Sequence, residues 1–171
     1  MKQNIIKLLV FGLLAGFYFS AFAVDKISVI DLNRVLGEAD YSQEQYKKLQ
    51  LSDAFKSSAK NISEQQKKLQ GIQKEGKAKS LTWSEEQKQA HRQRMQRELN
   101  LFNQLGNQQE AMKRQVDADI EEVLLPKVKE IVNAIIKEKN IGLLLDSRAV
   151  YFGTPEFDIT KEVITRLNKK K

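Results

Sequence analysis

The stretch MQRELNLFNQLGNQQEAMKRQVDADIEEV, residues 95–123, decides the fold, because apolar side chains return every three or four positions along its length. They are Met95, Leu99, Phe102, Leu105, Met112, Val116, Ile120 and Val123. This spacing predicts one face of an amphipathic helix. Continued from near residue 84 to near residue 138, the helix would be about 80 Å long, which is too long for a compact domain of this size.

A second helical pattern precedes this helix, from Ser42 to about Ile72. Its apolar residues follow the heptad spacing of a coiled-coil seam. They are Leu51, Phe55, Ile62, Leu69 and Ile72. Ser58 and Gln65 fall on the same seam, so we expect a weakly packed helical arm.

The segment GIQKEGKAKS, residues 71–80, lies between the two patterns and resembles a phosphate-binding loop. Ala78 stands where that loop needs a hydroxyl for magnesium, and the segment follows a helical pattern where a buried strand is required. We therefore interpret it as a turn between helices. Thr82 and Glu85 form a plausible capping box for the next helix, and Ser84 is a second cap candidate.

The two ends of the chain carry short strand and helix patterns. Residues 26–36, KISVIDLNRVL, predict a strand that passes into a helix near Asp31. Residues 141–146, IGLLLD, and residues 148–152, RAVYF, predict two further strands. We expect a final helix to begin at Asp158 or Thr160.

These patterns predict an α+β, mainly helical fold. A small body, residues 24–41 and 127–171, contains the strands, and a helical hairpin arm, residues 42–126 with its tip near 71–83, is inserted between the first and second strands. Pro126 lacks an amide hydrogen and predicts a kink in the long helix. A body of about 60 residues without disulfides or metal has a marginal core, so we expect the protein to form oligomers.

The first 23 residues have the features of an export signal. Lys2 and Lys7 precede the apolar run LLVFGLLAGFYFSAFA, which ends in the Ala-Phe-Ala sequence of residues 21–23. We expect cleavage after Ala23, with an uncleaved membrane anchor as the alternative. The chain has no Cys, which excludes disulfides and lipid attachment through a thiol.

The chain has a net charge of +7, and the excess of basic residues lies on the arm, most densely around the tip. The basic tip residues are Lys74, Lys77, Lys79, Lys88, Arg92, Arg94 and Arg97. Such a run is often only a solvated face. As a set, these residues are also suited to binding acidic partners.

Both ends of the mature chain resemble the Skp/OmpH family of periplasmic chaperones. Residues 27–36, ISVIDLNRVL, are similar to the family's opening strand and helix. Residues 143–169, LLLDSRAVYFGTPEFDITKEVITRLNK, are similar to its closing block, in the spacing of Asp146 and Asp158 and the position of Pro155. Phe152, where the family usually has Tyr, and Thr154, where it usually has an acid, depart from this block.

The resemblance implies a periplasmic homotrimer whose body is built from strands of all the subunits and whose helical arms enclose a cavity. Family members hold unfolded outer-membrane proteins there without ATP, so we expect no cofactor. The positive charge of the basic tip also makes the phosphates of lipopolysaccharide or anionic lipid at the membrane a candidate partner.

A chaperone of this kind must expose apolar side chains that adapt to many clients. The candidate client contacts are Trp83, Leu99, Phe102, Leu105 and Met112. The simpler interpretation is that the last four pack one arm helix against the other, and that Trp83 covers the turn.

Three other functions are alternatives to a chaperone. Nucleic-acid binding has only the basic charge in its favour, because no recognition motif accompanies it. A structural coiled-coil spacer of the cell envelope fits the arms equally well. An enzyme is disfavoured, since His91 is the only His and has no Cys or second His with which to bind a metal.

Overall fold

The computed structural model describes residues 26–170 and shows a mainly helical α+β fold. The expected signal, residues 1–23, lies outside this range. Two short 3-10 helices, Ser147–Ala149 and Pro155–Phe157, precede the last helix. The other elements, in chain order, are strand β1 (Lys26–Ile30), helices α1 (Leu32–Glu38), α2 (Asp40–Leu51), α3 (Asp53–Lys79) and α4 (Glu85–Lys139), strand β2 (Ile141–Asp146) and helix α5 (Thr160–Lys169).

Strands β1 and β2 form a parallel pair, with Ile27 opposite Leu143 and Val29 opposite Leu145. Helices α1 to α4 all lie between them in the chain. On the other edge of β1, the backbone N–H of Ile159 donates to the carbonyl oxygen of Val29 at 2.9 Å. The predicted insertion of a long helical hairpin between the first and second strands is therefore confirmed.

The strand predicted over residues 148–152 is wrong. The side chain of Asp146 accepts a hydrogen bond from the backbone N–H of Arg148 at 2.9 Å, and its carboxylate pairs with the guanidinium of Arg148 at 2.8 Å. These bonds with Arg148 lower the pKa of Asp146 to about 2. A side chain that bonds its own following backbone favours a turn over a strand, so β2 ends here in a 3-10 helix.

The core lies where the C-terminal part of α4 meets α1, α5 and the start of β2. It consists of Val35, Ala39, Ile120, Leu124, Val128, Ile131, Ile135, Ile141, Ile159, Val163 and Leu167. The fully buried Thr160 begins α5, as predicted, and its hydroxyl oxygen accepts a hydrogen bond from the backbone N–H of Asp31 at 2.8 Å. The side chain of Asp31 in turn caps α1 by accepting from the N–H of Arg34 at 3.0 Å.

Helix α3 continues to Lys79, so the turn predicted over residues 71–80 is wrong. Gly71 and Gly76 each lower helix propensity by roughly 1 kcal/mol, but the apolar seam extends to Ile72, which is buried, and helix α3 continues past it. Because the backbone amides of a helix donate to its own carbonyls, this segment cannot wrap around phosphates as a phosphate-binding loop does.

The chain reverses direction between Ser80 and Ser84. The hydroxyl of Thr82 donates to the carbonyl oxygen of Lys79 at 2.9 Å and so completes the end of α3. The capping box of α4 is formed by Ser84 and Gln87, which exchange hydrogen bonds of 2.9 and 3.2 Å. Of the two predicted caps, the second candidate is the one used.

The first arm helix is interrupted at Ser52, where α2 ends and α3 begins. The hydroxyl oxygen of Ser52 accepts from the N–H of Phe55 at 3.2 Å and caps α3. Leu51, predicted to lie in the seam, is 59% exposed beside this break. In α2, before this break, the hydroxyl of Tyr46 donates to the carboxylate of Asp117 in α4, and this bond raises the pKa of Tyr46 to about 12.

Helix α4 contains 55 residues and includes Pro126. The helix is continuous on both sides of the proline, and a bend at this position stays a prediction. The residues that flank Pro126 at one-turn spacing, Leu124 and Val128, are both buried in the core. One helix therefore supplies both an arm helix and a core helix of the body.

A polar contact in the seam sets the alignment of α3 and α4. Gln65 is buried, and its amide nitrogen donates to the backbone carbonyl of Glu98 at 2.9 Å and to the Glu98 carboxylate at 2.8 Å. Lys68 contacts the same carboxylate at 2.8 Å. The hydrogen bond from Gln65, and then that from Lys68, lowers the pKa of Glu98. A single buried polar residue in a coiled coil selects one register over its neighbours.

The lowered pKa of Glu98 makes the stability of the arm depend on pH. A carboxyl group whose pKa is lower in the folded state stabilises that state above its ordinary pKa, and this contribution is lost as the pH falls through the folded value. We expect Glu98→Gln to lower the melting temperature at pH 7 and to reduce its fall between pH 7 and pH 3, as measured by circular dichroism.

Glu64→Gln is the matched control, because Glu64 lies on the same arm but is exposed, and within residues 26–170 its one ion pair is with Lys60, at 3.8 Å. Between pH 7 and pH 3, the melting temperature of Glu64→Gln should fall by as much as that of the wild type. Equal falls for the wild type and Glu98→Gln would contradict the proposed contribution of Glu98.

Candidate functional site

The tip of the arm contains a pair of packed aromatic rings. The rings of Trp83 and His91 lie 4.6 Å apart between centroids and are tilted by 46°. His91 Nε2 lies 2.9 Å from the carbonyl oxygen of Ile72. Because a carbonyl oxygen only accepts, this nitrogen carries the hydrogen. His91 thus joins the start of α4 to the end of α3.

Gly76 is what allows His91 to approach α3 so closely. A Cβ atom added at Gly76 would lie 2.8 Å from Cε1 of His91. By contrast, a Cβ atom at Gly71 would meet nothing within 4 Å. Of the two glycines in the segment that resembles a phosphate-binding loop, only Gly76 is required by a close contact.

Beside the ring pair lies an open groove of about 390 Å³ that carries several of the predicted site residues. It is lined by Glu75, Trp83, Gln87, Ala90, His91, Arg94 and Arg97. Trp83 is half-buried, so one side of its ring packs and the rest is accessible. Both interpretations of Trp83, as cover for the turn and as a contact for clients, are compatible with this position.

The basic tip residues divide into paired and unpaired groups. Glu75 pairs with Arg94 at 3.1 Å and with Lys79 at 3.9 Å, and Glu85 pairs with Lys88 at 2.7 Å. The bond with Lys88 lowers the pKa of Glu85. The remaining four basic residues are exposed and form no ion pair within residues 26–170. They are Lys74, Lys77, Arg92 and Arg97. These four residues carry most of the uncompensated positive charge of the tip.

The other predicted client contacts lie along α4, towards the body. Phe102, Leu105 and Met112 are half-buried, and helical spacing places them on the same side of α4 as Glu98, which contacts α3. Leu99 is 41% exposed and lies at the border of this seam. The structure therefore does not bring these residues together with Trp83 at one site, and three of them contribute to arm packing.

Leu81 was not predicted as a site residue. It lies in the reversal between α3 and α4 and is 97% exposed, next to the basic tip. An apolar residue between Ser80 and Thr82, both typical turn residues, is the sequence signal that would have identified it. The close contact between Gly76 and His91 had no such signal, because the two residues are 15 positions apart in the chain and on different helices.

In the structure, His91 packs against Trp83 and Gly76. Within residues 26–170, no three His, Asp or Glu side chains gather into a group that could hold a metal ion. In the same part of the chain, no helix is both long enough and apolar enough to cross a membrane.

The sequence profile of the family described as "Outer membrane protein (OmpH-like)" matches residues 26–167. The chain belongs to the OmpH-like family. The match extends from β1 into the last turns of α5, so it includes the body and the arm.

Relatives of this OmpH-like protein are distant but similar over most of their length. A protein of Aquifex aeolicus (strain VF5), described as uncharacterized, is 27% identical over 157 residues, which cover 92% of each chain. A Skp-like protein of Pseudomonas aeruginosa is 27% identical over 157 residues and 88% of each chain. A solved structure of an OmpH-like protein from Caulobacter crescentus CB15 aligns over 87% of each chain, with 16% identity and a TM-score of 0.49.

The two glycines near the tip provide a matched test of its packing. We expect Gly76→Ala to displace His91 from Trp83 and to shift the fluorescence of Trp83, the only Trp in the chain, to longer wavelength. Gly71→Ala should leave the spectrum unchanged and raise the free energy of unfolding by about 0.5–1 kcal/mol, because Ala is the better helix former. Identical spectra for the two variants would show that the position of the His91 ring does not depend on Gly76.

Proposed function

We propose that this OmpH-like protein is an ATP-independent holdase chaperone of the periplasm that binds unfolded outer-membrane proteins between helical arms and prevents their aggregation. The observation that carries the proposal is the arm itself. Two long helices leave the body and pack through a narrow seam that is interrupted by the polar contact between Gln65 and Glu98. The relative of Pseudomonas aeruginosa, described as Skp-like, supports the same function.

The location follows from the export signal expected in residues 1–23. Cleavage after Ala23 would release the mature chain into the periplasm, where outer-membrane proteins pass in an unfolded state. A holdase in that compartment must bind weakly to many sequences and release them without ATP. A loosely packed arm with half-buried Phe102, Leu105 and Met112 suits such binding, because these side chains can turn from the seam towards a client.

The body is proposed to be completed by other copies of the chain, in a homotrimer. In the single chain, several large apolar side chains of the body are exposed. They are Ile27, Leu143, Tyr151, Phe152 and Phe157. Phe152 is 81% exposed, and a sheet of two strands is rarely stable without further strands or helices over it. Association of the bodies would cover these side chains and leave the arms free.

A structural spacer of the cell envelope is the second function that the arm would fit, and an aggregation assay separates the two. An outer-membrane β-barrel protein denatured in urea is diluted into buffer with or without the mature chain, and light scattering is followed. We expect one assembly per client to suppress most of the scattering in the absence of ATP. Unchanged scattering at excess mature chain would favour the spacer.

The basic tip is proposed to bind acidic groups of clients and the phosphates of lipopolysaccharide or anionic lipid. We expect the triple variant Lys77→Gln, Arg92→Gln, Arg97→Gln to capture an acidic client about threefold or more slowly at low salt, with a smaller effect of added salt. Binding to vesicles that contain phosphatidylglycerol should weaken as well. Capture is measured by stopped-flow fluorescence with a labelled client.

The control removes three charges elsewhere, as Lys47→Gln, Lys56→Gln, Lys127→Gln. These residues are also exposed and have no ion pair within residues 26–170. If the control variant slows capture as much as the tip variant does, the total charge of the protein, and not the tip, governs capture.

A further inference from the structure

The face of α4 that points away from the seam carries uncharged amide side chains along much of the arm. Their positions repeat every three or four residues, and all of them are exposed. We call this surface the amide stripe. It consists of Gln93, Gln96, Asn100, Asn103, Gln104, Asn107 and Gln108, with the small Ala111 at its end.

The amide stripe differs from the corresponding face of the partner helix. On α3, the exposed face that points away from the seam carries charged residues, as expected of a solvated helix surface. They are Lys56, Lys60, Glu64, Lys67 and Lys74. Exposed amides also occur on α3, at Gln66, Gln70 and Gln73, but there they lie beside charged residues, whereas no charged residue lies among the stripe members from Asn100 to Gln108.

The side chains of the amide stripe are largely free of hydrogen bonds to one another. Six of its members, from Asn100 to Ala111, border one open surface region of about 510 Å³. Within residues 26–170, one side-chain hydrogen bond joins two members of the amide stripe: the amide nitrogen of Gln96 donates to the amide oxygen of Asn100 at 2.9 Å. The other amide groups have donors and acceptors to offer to a ligand.

These amide groups match the chemistry of a polypeptide backbone. A primary amide has two donor hydrogens and an acceptor oxygen, as the N–H and C=O groups of an extended chain require. Arg97 lies on the same face between Gln93 and Asn100, but from Asn100 to Gln108 no charge has to be desolvated when a neutral backbone lies on the stripe. Leu99 and Leu101 border it on either side, each 41% exposed, and can contact apolar side chains of the bound segment.

We infer that the amide stripe binds the backbone of an extended segment of an unfolded client. This inference rests on the proposed holdase function and identifies a surface for it. From Asn100 to Gln108, the part without a charged residue, the stripe is about 12 Å long, which matches about four residues of extended chain. A segment whose backbone groups are bonded to amides cannot pair with another strand edge, which is the step that begins aggregation of β-rich chains.

The test places charges on the amide stripe without changing its shape. The variant Asn100→Asp, Gln104→Glu, Asn107→Asp should bind a urea-denatured outer-membrane β-barrel protein about tenfold more weakly, the equivalent of losing one or two hydrogen bonds. Affinity is measured by fluorescence anisotropy of the labelled client, and circular dichroism checks the helical content. The variant Asn100→Lys, Gln104→Lys, Asn107→Lys should also bind more weakly, because a charge of either sign must be desolvated.

The matched control is Gln66→Glu, Gln70→Glu, Gln73→Glu, which adds three negative charges to exposed amides of α3 and should bind like the wild type. Equal weakening by the control, or tighter binding by the lysine variant, would assign the effect to overall charge and overturn the inference. Wild-type affinity in both stripe variants would overturn it and leave the holdase proposal standing. A wild type that binds no client would overturn both.

A second copy of the chain is the other occupant that the amide stripe would fit. Sedimentation of the aspartate and glutamate variant without client distinguishes this case. We expect the mass of the assembly to equal that of the wild type. A smaller mass would show that the stripe joins copies of the chain, and the inference would be wrong.

Discussion

The parallel pairing of β1 with β2 is the constraint on which the rest of the structure depends. Two parallel strands cannot be joined by a tight turn, because the chain leaves β1 at Ile30 and must enter β2 at Ile141, which lies at the opposite end of the sheet. In most proteins a single helix makes this connection. Here the connection is the whole arm, and the closing contacts of the body are made only after both arm helices have been synthesised.

Helix α4 makes the arm and the body parts of one folding unit. Its first part packs against α3 through the Glu98 contact, and its last part supplies Ile131 and Ile135 to the core. The body contributes little apolar surface of its own, since α1 and α5 are short. The stability of the body therefore depends on a helix that also has to remain straight enough to serve the arm. The seam of the arm tolerates polar residues such as Gln65 because the core of the body supplies the stronger packing.

Much of this fold could be predicted from the sequence, because the periodicity of apolar residues is a local signal. The long helix, the strand that passes into a helix near Asp31 and the last helix at Thr160 all follow from such spacing. The errors occurred where a single side chain outweighed the pattern. Asp146 bonds its own backbone and ends the strand, and the continuing seam at Ile72 keeps two glycines within a helix. Propensity alone favoured the opposite result at both places.

The site was less predictable than the fold, because it depends on contacts between residues that are distant in the chain. Phe102 and Leu105 were identified from their place in the apolar stripe, but that stripe also packs the arm, and the sequence does not separate the two roles. Whether Glu75 neutralises Arg94 or Arg97 depends on the distances between side chains of α3 and α4, which the sequence does not give. The contact of Gly76 with His91 likewise requires two helices to be placed side by side.

The break at Ser52 gives the two helices of the arm different mechanical properties. On one side the backbone hydrogen-bond ladder is interrupted between Leu51 and Asp53, whereas on the other side α4 runs past this level without interruption. Bending at this level changes backbone angles at Ser52 without breaking ladder bonds in α2 or α3, while α4 must flex elastically. In the proposed assembly, a cavity between such arms would widen or narrow by the bending of α4 in each copy, and the elasticity of α4 would return the arm to its resting position once the client has left.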